Sequence, residues 1–311
     1  MRKIFAFLSV LLFVFDSWCV EVPDLNTALK NTYVACVGID ESLYELKMLA
    51  GINTAVTGVG TGLGVGAVAT GFAKQKTDED IDRLERYLKQ IEDDGRKQRP
   101  ESLSVVNVSQ EQIDALFKDS NKSLQQQELE KLNKKSKTLG NWRTGLLAGN
   151  TATNITGAII SSKTKNTEDI ETQINKCISA TKVLNDVILA AKINGENVSE
   201  AQNIYTTCRE YEYIDVSPIV KRGTGAMVAA SIGAGLGGVG TITSGIANSD
   251  KIRDDNSDAG KKKEKDLNTA SNVLAVGATA ASATATIFNA TQIAAIKKVA
   301  VVAEKCTGIL K

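Results

Sequence analysis

Four stretches of the chain have no charged residue and consist mainly of Gly, Ala, Thr, Ser and Val. They span residues 48–73, 144–162, 223–249 and 267–296. Side chains this small cannot fill an ordinary core, but they let two backbones approach closely in a helix bundle or in a membrane. We therefore predict helices that pack tightly along these four uncharged stretches.

Small residues recur at every fourth position within these stretches, which places them on one face of an α-helix. Such ladders favour close helix–helix contact. Each glycine inside a helix costs about 1 kcal/mol relative to alanine, so close packing or a bilayer has to offset the cost. The alternating glycines between Gly58 and Gly66 also permit a strand or a glycine-rich loop. The glycines predicted to lie in helix contacts are Gly58, Gly62, Gly66, Gly149, Gly157, Gly233, Gly237 and Gly277.

One order of features occurs twice along the chain: a cysteine, an uncharged stretch, a charged connector, a second uncharged stretch and a second cysteine. Cys36 lies fifteen residues before Gly51, and Cys208 lies fifteen residues before Gly223. This spacing does not depend on the shared small-residue composition, so it indicates an internal duplication.

The duplication divides the chain into two helical-hairpin repeats. The first covers residues 20–195 and contains a long charged helical connector, residues 74–143, in which Thr77 is predicted to start a helix. The second repeat covers residues 196–311. Only three of the 311 residues are proline. The predicted fold class is therefore all-α, with duplicated long antiparallel hairpins that pack through their small-residue segments.

The N-terminus has the pattern of a secretory signal peptide. Arg2 and Lys3 precede an apolar run from Ile4 to Phe15, which has the length of a signal-peptide core and is too short to span a bilayer comfortably. We predict a signal peptide over residues 1–19; an uncleaved anchor is the alternative. The chain is then exported to the periplasm, an outer envelope membrane or the extracellular space.

Four cysteines remain after removal of this segment, and an even number in an exported chain favours disulfides. Cys36 and Cys177 flank the first predicted hairpin at similar heights, and Cys208 and Cys306 flank the second. This favours the pairs Cys36–Cys177 and Cys208–Cys306, one at the base of each hairpin. Three pairings are formally open, and reduced, buried cysteines are a further alternative.

Nothing in the sequence predicts a catalytic, cofactor or metal site. The chain has no histidine, and its cysteines lack the spacing of a zinc site. The strings Gly62-Leu-Gly-Val-Gly-Ala67 and Gly235-Leu-Gly-Gly-Val-Gly240 fit the dinucleotide fingerprint Gly-x-Gly-x-x-Gly/Ala. They lie within glycine-rich tracts rather than after a strand, where dinucleotides bind. The 37 basic and 36 acidic residues create no field for nucleic acid, and no small-molecule substrate is indicated.

Polar residues within the uncharged stretches admit two interpretations. Thr57, Asn150, Asn154 and Asn289 could line a polar channel. The interpretation that we favour is that they form hydrogen bonds across a helix interface or back onto their own helix.

The uncharged stretches are long enough to cross a membrane, but they contain few large apolar residues, so a translocon would hold them weakly. The glycine ladders resemble those of outer-membrane glycine-zipper proteins, and the long helices with small apolar hairpins resemble α-helical pore-forming toxins. Both resemblances cover the four stretches alone and imply association with a membrane.

The sequence therefore favours an exported, non-enzymatic helical protein that acts through glycine-ladder packing, in an envelope membrane or as a self-assembling homo-oligomer. The alternative is a secreted helical protein that inserts into a target membrane and forms a pore. A second alternative is a soluble periplasmic binding bundle.

Overall fold

The computed structural model describes residues 23–97, 110–253, 255 and 257–310, and their side chains outside 91–97 and 110–123. Every regular element in this part of the chain is a helix, which confirms the predicted all-α class. The predicted signal peptide, residues 1–19, lies outside the described residues.

The described helices differ greatly in length, and three of them have more than fifty residues. In chain order they are α1 Leu25–Cys36, α2 Ile39–Lys97, α3 Gln110–Thr164, α4 Glu168–Ile193, α5 Ser199–Cys208, a 3-10 turn Arg209–Tyr213, α6 Ser217–Ala247, α7 Asp250–Arg253 and α8 Asp258–Leu310.

Local sequence explains several helix ends. The Asp24 side chain caps α1 by accepting a hydrogen bond from the Thr27 backbone N–H at 2.7 Å. Gly38 separates α1 from α2 with φ of 94°, and Gly195 follows α4 with φ of 78°. These left-handed conformations carry a steric cost for other residues that glycine avoids.

The charged connector does not begin with a new helix at Thr77. Helix α2 runs through this position without a break, because local contacts favour its continuation. The Thr77 hydroxyl donates to the Ala73 carbonyl at 2.9 Å, and the Lys74 ammonium pairs with the Asp78 carboxylate four residues later at 2.7 Å. The first part of the connector is therefore an extension of the helix that contains the first uncharged stretch.

The chain folds into two compact units, and each unit combines pieces of both predicted repeats. Unit 1 comprises residues up to 48, residues 166–220 and residues from 293 onward; unit 2 comprises residues 49–165 and 221–292. The four uncharged stretches lie almost entirely in unit 2, and the four cysteines lie in unit 1. The duplication and its repeat boundaries remain predictions, since compact units do not test a relation between sequences.

Unit 1 contains both disulfide bonds. The sulfurs of Cys36 and Cys177 are 1.97 Å apart, and those of Cys208 and Cys306 are 2.00 Å apart, which is the pairing that the sequence favours. The two bridges lie next to one another, since the sulfurs of Cys36, Cys177 and Cys306 are all within 4.8 Å. The sequence predicted one bridge at the base of each hairpin and did not indicate that the two would be neighbours.

The core of unit 1 consists mainly of large apolar side chains. Large apolar side chains are buried around the disulfides, as expected when the hydrophobic effect in water drives folding. They include Ile39, Leu43, Ile170, Ile174, Leu184, Ile188, Ile204, Ile219, Ile296 and Val299.

We expect peptide mapping under non-reducing conditions to recover a Cys36 peptide joined to a Cys177 peptide, and a Cys208 peptide joined to a Cys306 peptide. The adjacent sulfurs make this a stringent test, because other pairings would need only small movements within the cluster. A dominant Cys177–Cys208 linkage would contradict the assigned pairing.

In unit 2, helices α2 and α3 are antiparallel neighbours. Asn53 near the start of the uncharged part of α2 donates a hydrogen bond to Ser161 near the end of α3, at 2.6 Å. Gly71, further along α2, lies beside Arg143, near the start of the uncharged part of α3. Rising numbers in α2 therefore meet falling numbers in α3, as in the first predicted hairpin.

Helices α6 and α8 form a second antiparallel pair in unit 2. A Cβ built on Gly223 would lie 2.7 Å from Gln292 Nε2, and one built on Gly240 would lie 3.3 Å from Leu274 Cβ. Hydrogen bonds also join the two pairs, for example from Asn53 to Asn289. Unit 2 is thus a bundle of four long helix segments with alternating directions.

Candidate functional site

In each of the four helices of unit 2, a line of buried residues runs along one face, and successive members are three and four residues apart in turn. This spacing is that of helices packed as a coiled coil, with an average repeat of 3.5 residues. In α2 the buried positions that follow this spacing are Asn53, Thr57, Gly60, Gly64, Ala67, Gly71 and Lys74. In α3 they are Ser136, Gly140, Arg143, Leu147, Asn150, Asn154, Gly157, Ser161 and Thr164. In α6 they are Gly223, Ala226, Ala230, Gly233, Gly237, Gly240, Ser244 and Ala247. In α8 they are Asn268, Ser271, Ala275, Ala278, Ser282, Ala285, Asn289 and Gln292.

Six of the eight glycines predicted to lie in helix contacts do so. A Cβ built on each of them would lie 3.3 Å or less from a side-chain atom of another helix, so the neighbouring helix occupies the space that a side chain would need. The pairs are Gly66 with Leu146, Gly149 with Leu63, Gly157 with Thr57, Gly233 with Asn154, Gly237 with Thr151 and Gly277 with Leu236.

Gly58 and Gly62 are not contact residues, because a Cβ on either would have no neighbour within 4 Å. Residues four apart in an α-helix are offset by about 40° around the axis. Residues spaced strictly by four therefore rotate progressively out of the face that contacts the neighbouring helix. The contact positions in this part of α2 are instead Gly60 and Gly64, where a Cβ would lie 2.5 Å from Thr153 Oγ1 and 2.4 Å from Thr279 Oγ1, respectively.

A first polar cluster lies inside the bundle near one end. Asn53 Nδ2 donates to Ser161 Oγ at 2.6 Å and to Asn289 Oδ1 at 3.0 Å. Asn289 Nδ2 in turn donates to Thr57 Oγ1 at 3.4 Å. All four side chains are buried, so polar groups of α2, α3 and α8 are bonded to one another in the interior.

A second polar cluster lies deeper in the bundle. Asn154 Nδ2 donates to Asn150 Oδ1 at 2.6 Å and to Ser282 Oγ at 2.7 Å. Ser282 Oγ also lies 2.9 Å from Asn150 Oδ1. The cross-helix hydrogen bonding that we favoured for these asparagines is therefore present.

Charged groups are buried at the other end of the bundle. The ammonium of Lys74, 1% exposed, pairs with Asp78 at 2.7 Å and with Glu264 of α8 at 3.0 Å. Ser136 of α3 donates to Asp78. Burial raises the pKa of Glu264, and the nearby Lys74 acts in the opposite direction.

Arg143 lies fully buried close to this cluster, immediately before the uncharged stretch of α3. Burial lowers the pKa of its guanidinium to about 10, and the charge of Asp78 opposes that shift. One of its nitrogens donates to the Asn268 carbonyl at 3.2 Å. The sequence does not predict this charged cluster, because its members lie in or next to the charged connectors and meet only where α2, α3 and α8 pack together.

The outer surface of unit 2 is rich in large apolar side chains. Within the described residues of unit 2, Ile81 and Leu147 are the buried apolar side chains larger than alanine. The exposed ones are far more numerous, and they include Ile52, Val59, Val65, Phe72, Ile155, Ile159, Val228, Ile232, Val239, Ile242, Ile246, Val273, Val276 and Ile287.

Unit 2 therefore reverses the usual distribution of polarity, with Asn, Ser, Thr and Gly inside and Ile, Val and Phe outside. Unit 1 of the same chain has the usual distribution, with large apolar side chains in its core. A reversed distribution is typical of helices whose surroundings are as apolar as their own side chains, since such surroundings do not drive apolar groups inward.

The part of the bundle without charge has a definite length. The shortest uncharged stretch, residues 144–162, contains 19 residues, which corresponds to ~28 Å of helix. The hydrocarbon core of a bilayer is ~30 Å thick. Among the described residues, three helical regions are long and apolar enough to cross a membrane, namely Leu25–Gln90, Ser217–Ala247 and Asp258–Leu310; α3 is not among them.

The chain matches no family model, no curated protein and no solved structure.

Proposed function

We propose that this chain is an exported, non-enzymatic membrane protein whose unit 2 resides in an envelope membrane as a bundle of four helix segments. The observation that supports this most directly is the distribution of side chains in unit 2, where polar residues are buried and large apolar residues are exposed. Unit 1 has the opposite, usual distribution. In this proposal the protein acts through the packing of its helices in the lipid.

The energetics of the outer surface support a lipid environment. Moving a Val, Ile or Phe side chain out of water stabilises by about 1.5–3 kcal/mol when burial is complete, and the outer surface offers many such side chains around the bundle. In water this surface would be an aggregation hazard, because soluble proteins rarely expose large contiguous apolar areas.

The interior of unit 2 suits a bilayer as well. Glycine and alanine let the helices approach closely, which strengthens van der Waals contacts where lipid replaces water as the solvent. The buried asparagines form hydrogen bonds to polar side chains of neighbouring helices, Asn53 to Asn289 and Asn154 to Ser282, so these amides do not face hydrocarbon. Charges begin at both ends of the shortest stretch, at Arg143 and Lys163.

The location that the proposal requires is an envelope membrane that faces an oxidising compartment. The two disulfides are compatible with such a compartment. Export through the predicted signal peptide would bring the cysteines there.

Flotation with liposomes tests the proposal. The purified mature chain, freed of detergent in the presence of liposomes, should float with the lipid and stay there in alkaline carbonate. Recovery as a soluble, monodisperse monomer in the absence of lipid would contradict it. A lipid-free homo-oligomer of defined size would show instead that further copies of the chain cover the apolar surface.

A second candidate function is pore formation in a target membrane. The observation that favours it is the placement of Asn53, Asn150, Asn154 and Asn289 on the inner faces of three helices. If several bundles opened and joined, these faces would line a polar lumen. Release of an entrapped dye by the added protein would support this function; binding without release would exclude it.

A further inference from the structure

We propose that the four cysteines of unit 1 form a Zn²⁺ site when both disulfides are reduced. The oxidised chain keeps two bridges, and the reduced chain holds a metal ion with the same four sulfurs. The inference concerns unit 1 alone and does not depend on the membrane function proposed for unit 2.

The positions of the sulfur atoms support this site. The sulfurs of Cys36, Cys177 and Cys306 lie within 4.8 Å of one another, and Cys208 is bonded to Cys306. Four thiolates around zinc at 2.3 Å in a tetrahedron are ~3.8 Å apart. Reduction allows the bonded sulfurs to separate to this spacing. The sulfur of Cys306 then needs to approach those of Cys36 and Cys177 by about 1 Å at most, and the sulfur of Cys208 must approach them as well.

The ligand set matches the chemistry of zinc. Four cysteine thiolates are one of the standard ligand sets of structural zinc sites, which are closed to solvent. All four cysteines are 0% exposed, so a bound ion would be shielded from water. They come from four different elements, namely the ends of α1 and α5 and the bodies of α4 and α8, so one ion would join all of them.

Two buried hydroxyls lie near the cysteines in sequence. Tyr211 follows Cys208 by three residues, and Thr307 follows Cys306 directly. Both hydroxyl oxygens are buried without a hydrogen-bond partner among the described residues. An unpaired buried hydroxyl costs about 1–3 kcal/mol, and donation to a metal-bound thiolate would remove that cost, as partners beyond the ligands often do.

Reduction of the disulfides and binding of the metal ion are balanced in electrons and protons. A dithiol or phosphine reductant supplies two electrons to each disulfide, and two protons per bridge complete the four thiols. Binding of Zn²⁺ then releases the four thiol protons and leaves the oxidation state of the metal unchanged. Affinity should rise with pH, because the ligands must lose their protons.

Titration with Co²⁺ tests the site, because tetrahedral cobalt thiolates absorb strongly in the visible range. The full-length mature chain, reduced with a phosphine under nitrogen, should bind one Co²⁺ with these bands, and Zn²⁺ should displace it. The bound metal should also protect all four cysteines from alkylation. The oxidised chain should show none of these changes.

The double variant Cys208→Ala/Cys306→Ala is the matched control, since it keeps the other pair of sulfurs. It should bind Co²⁺ more than ~100-fold more weakly, because losing two ligands exceeds the 10–100-fold effect of losing an outer-shell partner. If reduction unfolds unit 1, metal should restore its helicity. Absence of cobalt thiolate bands in the reduced chain, folded or not, would overturn the proposal, as would equal binding by the double variant or by the oxidised chain.

Discussion

Replacing Gly233 with leucine should destabilise the protein by about 3 kcal/mol or more. A Cβ at this position would lie 2.9 Å from Asn154 Cγ, and leucine adds three more carbons. Overpacking of a tight core costs about 1–3 kcal/mol even for small insertions. The larger side chain must also push α6 away from α3 or displace the amide of Asn154, and that displacement breaks its hydrogen bond to Ser282 of α8 at 2.7 Å.

The same replacement at Gly62 is the matched control. This glycine lies in a helix of the same bundle, but its Cβ position is open. Leucine there should be neutral or should stabilise by up to about 1 kcal/mol, since glycine is the poorer helix former. Urea unfolding followed by circular dichroism in lipid or detergent measures both effects. Equal stability of the two variants would show that the assigned contact faces are wrong.

Lysine on the outer surface of unit 2 should greatly weaken membrane binding. Ile155 and Ile232 are 48% and 52% exposed, and both lie well inside the uncharged stretches. Lysine at the centre of a membrane helix is unfavourable by about 2.5–3.5 kcal/mol on the insertion scale, whereas isoleucine is slightly favourable. Each single variant should therefore partition into liposomes roughly 100-fold less than the parent.

Leu189→Lys serves as the control for this prediction. Leu189 is 56% exposed on α4 of unit 1, a unit whose core is already apolar, so its outer surface does not require lipid. Liposome flotation should give the parental value for this variant. A similar loss for all three variants would mean that the added charge acts in general and not through contact with lipid.

The fold class and the cysteine pairing could be predicted because the patterns behind them are visible along the chain. Uncharged stretches, scarce proline and the two-fold cysteine layout are visible along the chain. The left-handed Gly195 could likewise be expected, since glycine commonly follows the last turn of a helix.

The contact face within the bundle could not be fixed in the same way. The glycines of α2 alternate from Gly58 to Gly66, so ladders through Gly58 and Gly62 or through Gly60 and Gly64 fit the sequence equally. The choice depends on which line of residues stays on one side of the helix, and that line alternates steps of three and four.

The convergence of groups distant along the chain was also beyond the sequence. Lys74, Asp78 and Glu264 come from two helices, and nothing local indicates that they meet or that Lys74 is buried. The adjacency of the two disulfides depends likewise on how α1, α4, α5 and α8 pack in unit 1. Spacing rules for metal sites apply to ligands close in sequence, so they gave no indication of the sulfur cluster.

The most direct test of contact between the outer surface of unit 2 and lipid is quenching of tryptophan fluorescence by brominated lipids. The chain has two tryptophans, Trp18 in the predicted signal peptide and Trp142, so Trp142→Phe gives a mature chain without tryptophan. Single tryptophans placed in this background at Ile155, Ile232 or Leu189 then report on each surface. The account predicts strong quenching at Ile155 and Ile232 and little at Leu189; absence of quenching at Ile155 and Ile232 in liposome-bound protein would contradict it.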